Sequence, residues 1–172
     1  NVLAVGNRFS SPNLTYALRL KTNARRGGFV ENIMLCDSVM DHVGGAAIHG
    51  TMLYEDGPNG DCLPTFRNIT IENITAHGGD YGIFLEAFPE VPITGLTLRN
   101  IQIDGTCRTL HAMNWQDAHM ENVTLNGKVF PRPGSVRILG VPTPGALVSA
   151  SAVHCGDNEA LDFQWEMAGE NG

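Results

Sequence analysis

The chain has 172 residues, enough for one domain with a hydrophobic core, and its 20 glycines, 9 prolines and 17% charged residues favour a turn-rich β protein over a helical bundle. No apolar run reaches the roughly 18 to 20 residues of a membrane-spanning helix, and no signal peptide is recognisable. Residues 1–30 contain five cations and no acid, whereas the remainder contains 6 cations against 18 acids, and this compact basic patch suits a small anionic ligand better than a nucleic acid, which requires a long basic stripe.

The first clear element is a strand over residues 17–23 that places two cations on one face. Leu18 and Leu20 alternate with Arg19 and Lys21, so the leucines are expected to point inward and the cations outward. Adjacent outward cations repel each other unless an anion lies between them. We therefore predict that Arg19 and Lys21 contact an acidic ligand.

A repeated pattern organises residues 1–128. Five segments alternate apolar and polar residues, and the anchors that we take as equivalent are Leu3, Ile33, Ile69, Leu96 and Val123. A second set follows these anchors by 14 or 15 residues, at Leu18, Ile48, Ile83 and Leu110. A near-constant offset within units of variable length is typical of a solenoid. We predict an all-β fold, a right-handed parallel β-helix of about four to five coils over residues 1–128. A β-sandwich is the competing fold.

Asparagine recurs beside the anchors and indicates a bend. Asn tolerates left-handed backbone and can hydrogen-bond within its own turn, so stacked copies predict a ladder of amides. The predicted set is Asn32, Asn68 and Asn122, with Gly95 in place of Asn in one copy. After Gly127 the pattern fades, and we expect residues 129–172 to form a turn-rich cap or tail.

Two further kinds of residue are candidates for a site. Four cysteines lie far apart without a C-x-x-C pair, which argues against zinc and favours buried free thiols over disulfides; they are Cys36, Cys62, Cys107 and Cys155. At the offset of the second strand, His49 and His111 align with Arg19, and Glu86 aligns with Lys21. The histidines form either a solvated outer stack or part of a groove. No metal and no cofactor are predicted.

These segments, in this order, resemble the polygalacturonase-type glycoside hydrolases of family 28. Residues 17–22 are similar to the Arg-x-Lys strand of that family, and the Arg-Gly-Gly turn and strand at 26–33 follow as in bacterial members. The loop Tyr-Glu-Asp-Gly at 54–57 is similar to the aromatic-acidic-Gly loop. Residues 64–69 and 92–96 continue the resemblance, which spans about the first 127 residues.

The resemblance implies a pectin-active enzyme that cleaves α-1,4-linked galacturonan with inversion, one carboxyl group protonating the leaving oxygen and another activating water. The family's Asn-Thr-Asp, Asp-Asp and Gly-His-Gly motifs precede the Arg-x-Lys strand, and none occurs here. The resemblance thus implies the C-terminal part of such an enzyme, with no catalytic residue in this span and no activity of the isolated chain. It implies that Arg19 and Lys21 bind the substrate carboxylate and that Tyr54 contacts the sugar.

Further expectations concern partners and location. The implied partner is an acidic polysaccharide, with neither nucleic acid nor membrane, and a polymeric substrate implies a secreted or periplasmic protein. The unpaired edge of the first coil, residues 2–9 and 16–22, predicts end-to-end self-association. The alternative function is a non-catalytic β-helical carbohydrate-binding, adhesin or tailspike-type module, which does not require Arg19 and Lys21 together. A polysaccharide lyase is a weaker alternative because it needs a cluster of calcium-binding acids and an arginine base, and the sequence contains no acid cluster of that kind.

Overall fold

The computed structural model describes residues 1–130, 136–139 and 149–152, all of whose regular elements are strands. The strands are β1 (Val2–Val5), β2 (Arg8–Lys21), β3 (Phe29–Thr51), β4 (Thr65–His77), β5 (Tyr81–Glu86), β6 (Thr94–Asp104), β7 (Arg108–Met113), β8 (His119–Leu125), β9 (Lys128–Phe130), β10 (Val136–Leu139) and β11 (Ser149–Ala152). This part of the chain contains no helix that could span a membrane. The chain divides into two units, Asn1–Phe130 and Pro131–Gly172.

The first unit is a parallel β-helix, which confirms the predicted fold class. Its strands form two rows of parallel neighbours. The first row contains β1, the start of β2, the first part of β3, β4, β6 and β8. The second row contains the end of β2, the last part of β3, β5 and β7. Strand β3 belongs to both rows because it turns through bends at Asp37 and His42, whose φ angles are 52° and 57°. It is therefore one coil of the helix rather than a straight strand.

The register of the second row is the predicted one. Leu18 lies opposite Ile48, Ile48 opposite Ile83, and Ile83 opposite Leu110. These side chains face the core, where Ile48 and Ile83 are almost completely buried. Because side chains alternate between the two faces of a strand, the residues one and three positions later form rows on the outer face. The functional site is built from these outer rows.

The register of the first row differs from the prediction at both ends. Ile33 lies opposite Ile69, and Ile69 opposite Leu96, as expected. However, Val2 rather than Leu3 lies opposite Ile33. Val123 lies opposite Ile101 and not opposite Leu96, so these two assigned equivalences are wrong.

The error at Val123 has a physical origin in the bends. Each coil of this row turns at two places, and at both the sequence reads Asn followed by alternating apolar residues. Asn32, Asn68 and Gly95 occupy one bend with φ angles of 55°, 53° and 60°. A side chain at Gly95 would lie 2.9 Å from Asn68 Oδ1, so this copy requires glycine.

The second bend contains the longer amide ladder, and Asn122 belongs to it. Asn73 Nδ2 donates to Asp37 Oδ1 (2.8 Å), Asn100 Nδ2 donates to Asn73 Oδ1 (3.0 Å), and Asn122 Nδ2 donates to Asn100 Oδ1 (3.0 Å). All four residues have φ angles of 52–54°. The expected ladder exists, but it is divided between two bends, with Asn68 donating to Asn32 in the first.

The parallel coils end in an antiparallel hairpin that sequence analysis missed. Strand β9 pairs back on β8 through a turn at Asn126 and Gly127, whose φ angles of 48° and 70° fit the Asn-Gly hairpin signature. In the second unit, β10 and β11 form an antiparallel pair. The capping role predicted for residues 129–172 concerns segments that are mostly outside the described residues and stays a prediction.

The cysteine prediction is confirmed at one position. Cys36 is buried and free, and burial, followed by the nearby charges of Asp37 and Glu72, raises the pKa of its thiol. Cys62 and Cys107 are free but exposed, so the expectation of burial is wrong for them. They lie in loops, where the alternating pattern gave no information about depth. Cys155 is outside the described residues.

Candidate functional site

The site begins with the two cations at the end of β2. Leu18 and Leu20 pack against the core, so Arg19 and Lys21 project from the outer face and are exposed. The chain then turns into the buried segment starting at Thr22, whose backbone oxygen accepts a hydrogen bond from Tyr54 N (3.0 Å). This bond brings the loop after β3 beside the end of β2.

Tyr54 is the residue on which the two cations converge. Lys21 Nζ lies 3.8 Å from the centroid of the Tyr54 ring, and Arg19 Cζ lies 4.9 Å from it. Arg19 Cζ is also 4.6 Å from the centroid of the Tyr16 ring. Cation–π contacts of this kind hold a positive charge in place without neutralising it. The three residues predicted to bind substrate therefore lie together.

The neighbouring cations are in a different electrostatic state. Arg25 Nη1 lies 3.4 Å from Asp56 Oδ1, and Arg26 Nη2 lies 3.1 Å from Glu55 Oε2. In the part of the chain that the structure describes, no carboxylate lies within 4.0 Å of the charged groups of Arg19 or Lys21. Of the positive charges in this corner of the fold, these two are the ones available to an anion.

Asn23 fixes the loop that carries Tyr54. Its side chain is completely buried. Asn23 Nδ2 donates to Tyr54 O (3.0 Å) and to Asp56 Oδ2 (3.2 Å), while Asn23 Oδ1 accepts from Arg26 N (3.0 Å). One amide thus ties the turn after β2 to the loop after β3. Sequence analysis missed this role, for which the only signal was an Asn directly after the Arg-x-Lys-Thr run.

A stack of rings continues the outer row that starts at Arg19. His49, Phe84 and His111 occupy successive coils in register with Arg19. The His49 and Phe84 centroids are 5.1 Å apart, and those of Phe84 and His111 are 4.4 Å apart, with interplanar angles of 7° and 17°. The Tyr16 ring adjoins the stack, with its centroid 4.2 Å from that of His49 and its plane tilted by 45°. The histidines are thus stacked as expected, but His49 is buried, so the expectation of a solvated stack is wrong for it. Phe84 is the member that sequence analysis did not identify.

The pKa of His49 is lowered by its position in this stack beside Arg19. Burial, followed by the positive charge of Arg19, lowers its pKa to about 4. At neutral pH His49 is therefore uncharged and adds no positive charge beside Arg19. Its Nδ1 is buried without a hydrogen-bond partner among the described residues.

The next outer row starts at Lys21 and contains an acid two coils later, before it continues to Met113. Thr51 and Glu86 lie in register with Lys21 on the following two coils. Glu86 Oε2 accepts a hydrogen bond from Thr51 Oγ1 (3.2 Å), and Glu86 Oε1 lies 3.9 Å from His111 Nε2. Glu86 thus contacts a histidine rather than the lysine with which it aligns.

Four further acids of the described coils make structural contacts. Glu55 and Asp56 pair with the turn arginines, Asp41 Oδ2 lies 2.9 Å from Arg8 Nη2, and Asp37 accepts the Asn73 amide of the second ladder. No group of three or more potential metal ligands occurs among the described residues. The arrangement around Tyr54 is therefore suited to binding an anion.

The comparison with solved structures agrees with this architecture. The fold resembles that of an exopolygalacturonase. The chain matches the crystal structure of a hyperthermoactive exopolygalacturonase from Thermotoga maritima with 30% identity and a TM-score of 0.61. The match covers 73% of this chain and 26% of the exopolygalacturonase, so the chain spans about a quarter of that enzyme's length. No protein-family model and no curated protein matches the chain.

Proposed function

We propose that this chain is the C-terminal part of a polygalacturonase-like, inverting glycoside hydrolase and that Arg19, Lys21 and Tyr54 bind an acidic polysaccharide of the galacturonan type. The observation that carries the proposal is a pair of exposed cations held on one tyrosine, without a carboxylate partner among the described residues. The pair lies on a β-helix that is 30% identical to an exopolygalacturonase over the matched region. We assign no catalytic residue to this span, and we propose that the protein acts outside the cytoplasm on a cell-wall polymer.

The chemistry of the pair fits a sugar carboxylate. A guanidinium group can donate two parallel hydrogen bonds to a carboxylate, and an ammonium group adds a point contact. Hydrogen bonds to charged groups contribute about 1.5–3 kcal/mol each. Because the Tyr54 ring already carries both cations, we assign its hydroxyl group rather than its ring face to the ligand.

Isothermal titration with trigalacturonate tests the proposal. We expect Lys21→Ala and Arg19→Ala each to weaken binding by roughly tenfold or more, which corresponds to the free energy of one charged hydrogen bond. Arg25→Ala is the matched control because it removes one positive charge that is already paired. A neutral galactose trisaccharide should not bind in a Lys21-dependent way. Equal weakening by Arg25→Ala would indicate attraction by net charge alone and would contradict the assigned site.

A second measurement separates the hydrolase from the binding module. The isolated chain should release no reducing sugar from polygalacturonate, whereas it should still bind the oligomer through Lys21. Release that Arg19→Ala abolishes would contradict the assignment of catalysis to residues outside this span. Binding of neutral and acidic sugars alike, insensitive to Lys21→Ala, would favour a non-catalytic carbohydrate-binding or adhesin-type module.

A further inference from the structure

Glu86 is an acidic residue on the path that a bound polysaccharide could follow. It shares an outer row with Lys21 and is two coils away, and Thr51 between them is buried. Neighbouring parallel strands are about 4.8 Å apart, so the Lys21 and Glu86 backbones are separated by roughly 10 Å. A ligand whose carboxylate lies at Lys21 and which extends along the stacked coils reaches Glu86 within a few sugar units.

The carboxylate of Glu86 is held in place and remains accessible. Its side chain is 24% exposed. The hydrogen bond from Thr51 Oγ1 fixes one oxygen, and the other faces His111, which carries a charge only when protonated. In residues 1–130 no lysine or arginine nitrogen lies within 4.0 Å of Glu86.

Other glutamates on the coils show how an acid is neutralised in this fold. Glu31 lies 2.5 Å from an arginine on the next coil, Arg67, and Arg99 lies 3.5 Å from Glu72 and 3.4 Å from Glu121. These pairs join neighbouring coils across the first row. The lysine in the row of Glu86 is Lys21, which lies two coils away and contacts the Tyr54 ring. Its negative charge is thus left on the outer face of the coils.

We propose that Glu86 is a specificity-determining residue that limits the anion site to one acidic sugar unit along this row. The inference rests on the proposed function, since it assumes that a uronate binds at Arg19 and Lys21. A second carboxylate beside Glu86 meets a fixed negative charge, whereas a neutral or methyl-esterified unit meets a hydrogen-bond acceptor. Among galacturonans, the favoured ligand therefore carries a free carboxylate at the Lys21 end and methyl-esterified units along the coils.

The test compares monogalacturonate with trigalacturonate by isothermal titration against the wild-type chain and Glu86→Gln. The glutamine keeps an acceptor for Thr51 and removes the charge. We expect Glu86→Gln to strengthen trigalacturonate binding about three- to sixfold, the effect of removing one like charge at about 4–6 Å with the screening of bulk water. Monogalacturonate should change by less than about twofold because it stays near a Debye length from Glu86. Glu121→Gln, which makes the same change of net charge in the first row, should alter neither ligand.

The outcomes separate this inference from the proposed function. If both ligands bind through Lys21 and Glu86→Gln leaves the ratio of their affinities unchanged, the role of Glu86 is wrong and the anion site stands. An equal gain for both ligands, or the same gain from Glu121→Gln, also overturns the role because it reports net charge. If neither ligand shows Lys21-dependent binding, the proposed function fails and this inference fails with it. Thermal unfolding of Glu86→Gln at the wild-type temperature verifies that the variant is folded.

Discussion

Two pairs of cations lie within eight residues of one another, and they differ in what surrounds them. Arg25 and Arg26, in the turn after β2, are paired with Asp56 and Glu55 of the facing loop. Arg19 and Lys21, on the strand itself, face an aromatic ring of that same loop. A local excess of positive charge is therefore not by itself a binding site. The site is the part of the patch that the fold leaves without a counter-charge.

The loop after β3 produces both states because its backbone is fixed by one side chain. Asn23 holds the carbonyl group of Tyr54 and the carboxylate of Asp56 at the same time. The ring is thereby placed over the strand and the acids over the turn. Variants of this turn and loop either abolish the difference between the paired and the unpaired cations or measure how large its effect is.

The largest effect is expected for Asn23→Ala, which removes the link between turn and loop. The variant loses three hydrogen bonds of a fully buried amide, and the groups of Tyr54, Asp56 and Arg26 that made them lose their partner. The free energy of unfolding should therefore fall by about 2–4 kcal/mol. Urea unfolding measures this loss. Asn59→Ala, which removes an exposed amide that bonds Asp56 O in the same loop, is the control and should cost less than about 1 kcal/mol. Equal losses would show that Asn23 does not organise the loop.

His49→Phe tests the charge state beside Arg19. The folded-state pKa of His49, about 4, lies below the unfolded value of about 6.5, so the unfolded chain binds a proton first as the pH falls. The contribution of neutral His49 to the free energy of unfolding is therefore fully present above pH 6.5 and is lost as the pH falls from about 6.5 to about 4. The loss is on the order of 1–2 kcal/mol after allowance for solvent screening. Urea unfolding at pH 7 and pH 4.5 should show a smaller loss in His49→Phe than in the wild type. The exposed His119→Gln variant should retain the wild-type loss, and a parallel decline in all three proteins would contradict the lowered pKa.

Tyr54→Leu removes the ring that keeps the unpaired cations together. Cation–π contacts contribute about 0.5–2 kcal/mol, so we expect trigalacturonate affinity to fall roughly two- to thirtyfold through the loss of positioning. Tyr54→Phe keeps the ring and removes the hydroxyl group, and the two variants together divide the effect between them. If Tyr54→Leu binds as tightly as the wild type, the ring does not organise the site.

The smallest effects are expected at the paired cations. Exposed ion pairs contribute about 0–1 kcal/mol, so Arg25→Ala and Arg26→Ala should each change the free energy of unfolding by less than about 1 kcal/mol. Trigalacturonate affinity should change by less than about threefold. A loss as large as that of Lys21→Ala would place the turn arginines in the site and remove the distinction between the pairs.

The sequence predicted the second row of strands well because two signals agree there. Leu18, Ile48, Ile83 and Leu110 keep a nearly constant offset of 14 or 15 residues from the preceding anchors, and the alternation around them fixes which side chains face outward. The first row has two bends with the same Asn-apolar pattern, so alternation did not distinguish them, and Val123 was assigned to the wrong one. A constant interval is thus informative only where each coil contains the pattern once.

The contacts that define the site were less accessible to sequence reasoning. The pairing of Arg25 and Arg26 with acids about 30 positions later depends on how a turn and a loop meet in space, which neither periodicity nor composition reports. The loop of Tyr54 was recognised through a family resemblance rather than from its residues. Asn23 carries no pattern that distinguishes it from other turn asparagines. The strand that presents Arg19 and Lys21 could be predicted from the sequence. That Tyr54 rather than a carboxylate faces them could be seen only in the structure.

The most direct test of the unpaired cations is an NMR titration that follows the arginine side-chain Nε–Hε signals as galacturonate is added. We predict that the Arg19 signal shifts in a saturable manner, whereas the signals of Arg25 and Arg26 remain within the small changes seen with an equal concentration of chloride. Loss of the Arg19 shift in Lys21→Ala would show that both cations act on one ligand. Saturable shifts of Arg25 and Arg26 without a shift of Arg19 would contradict the account.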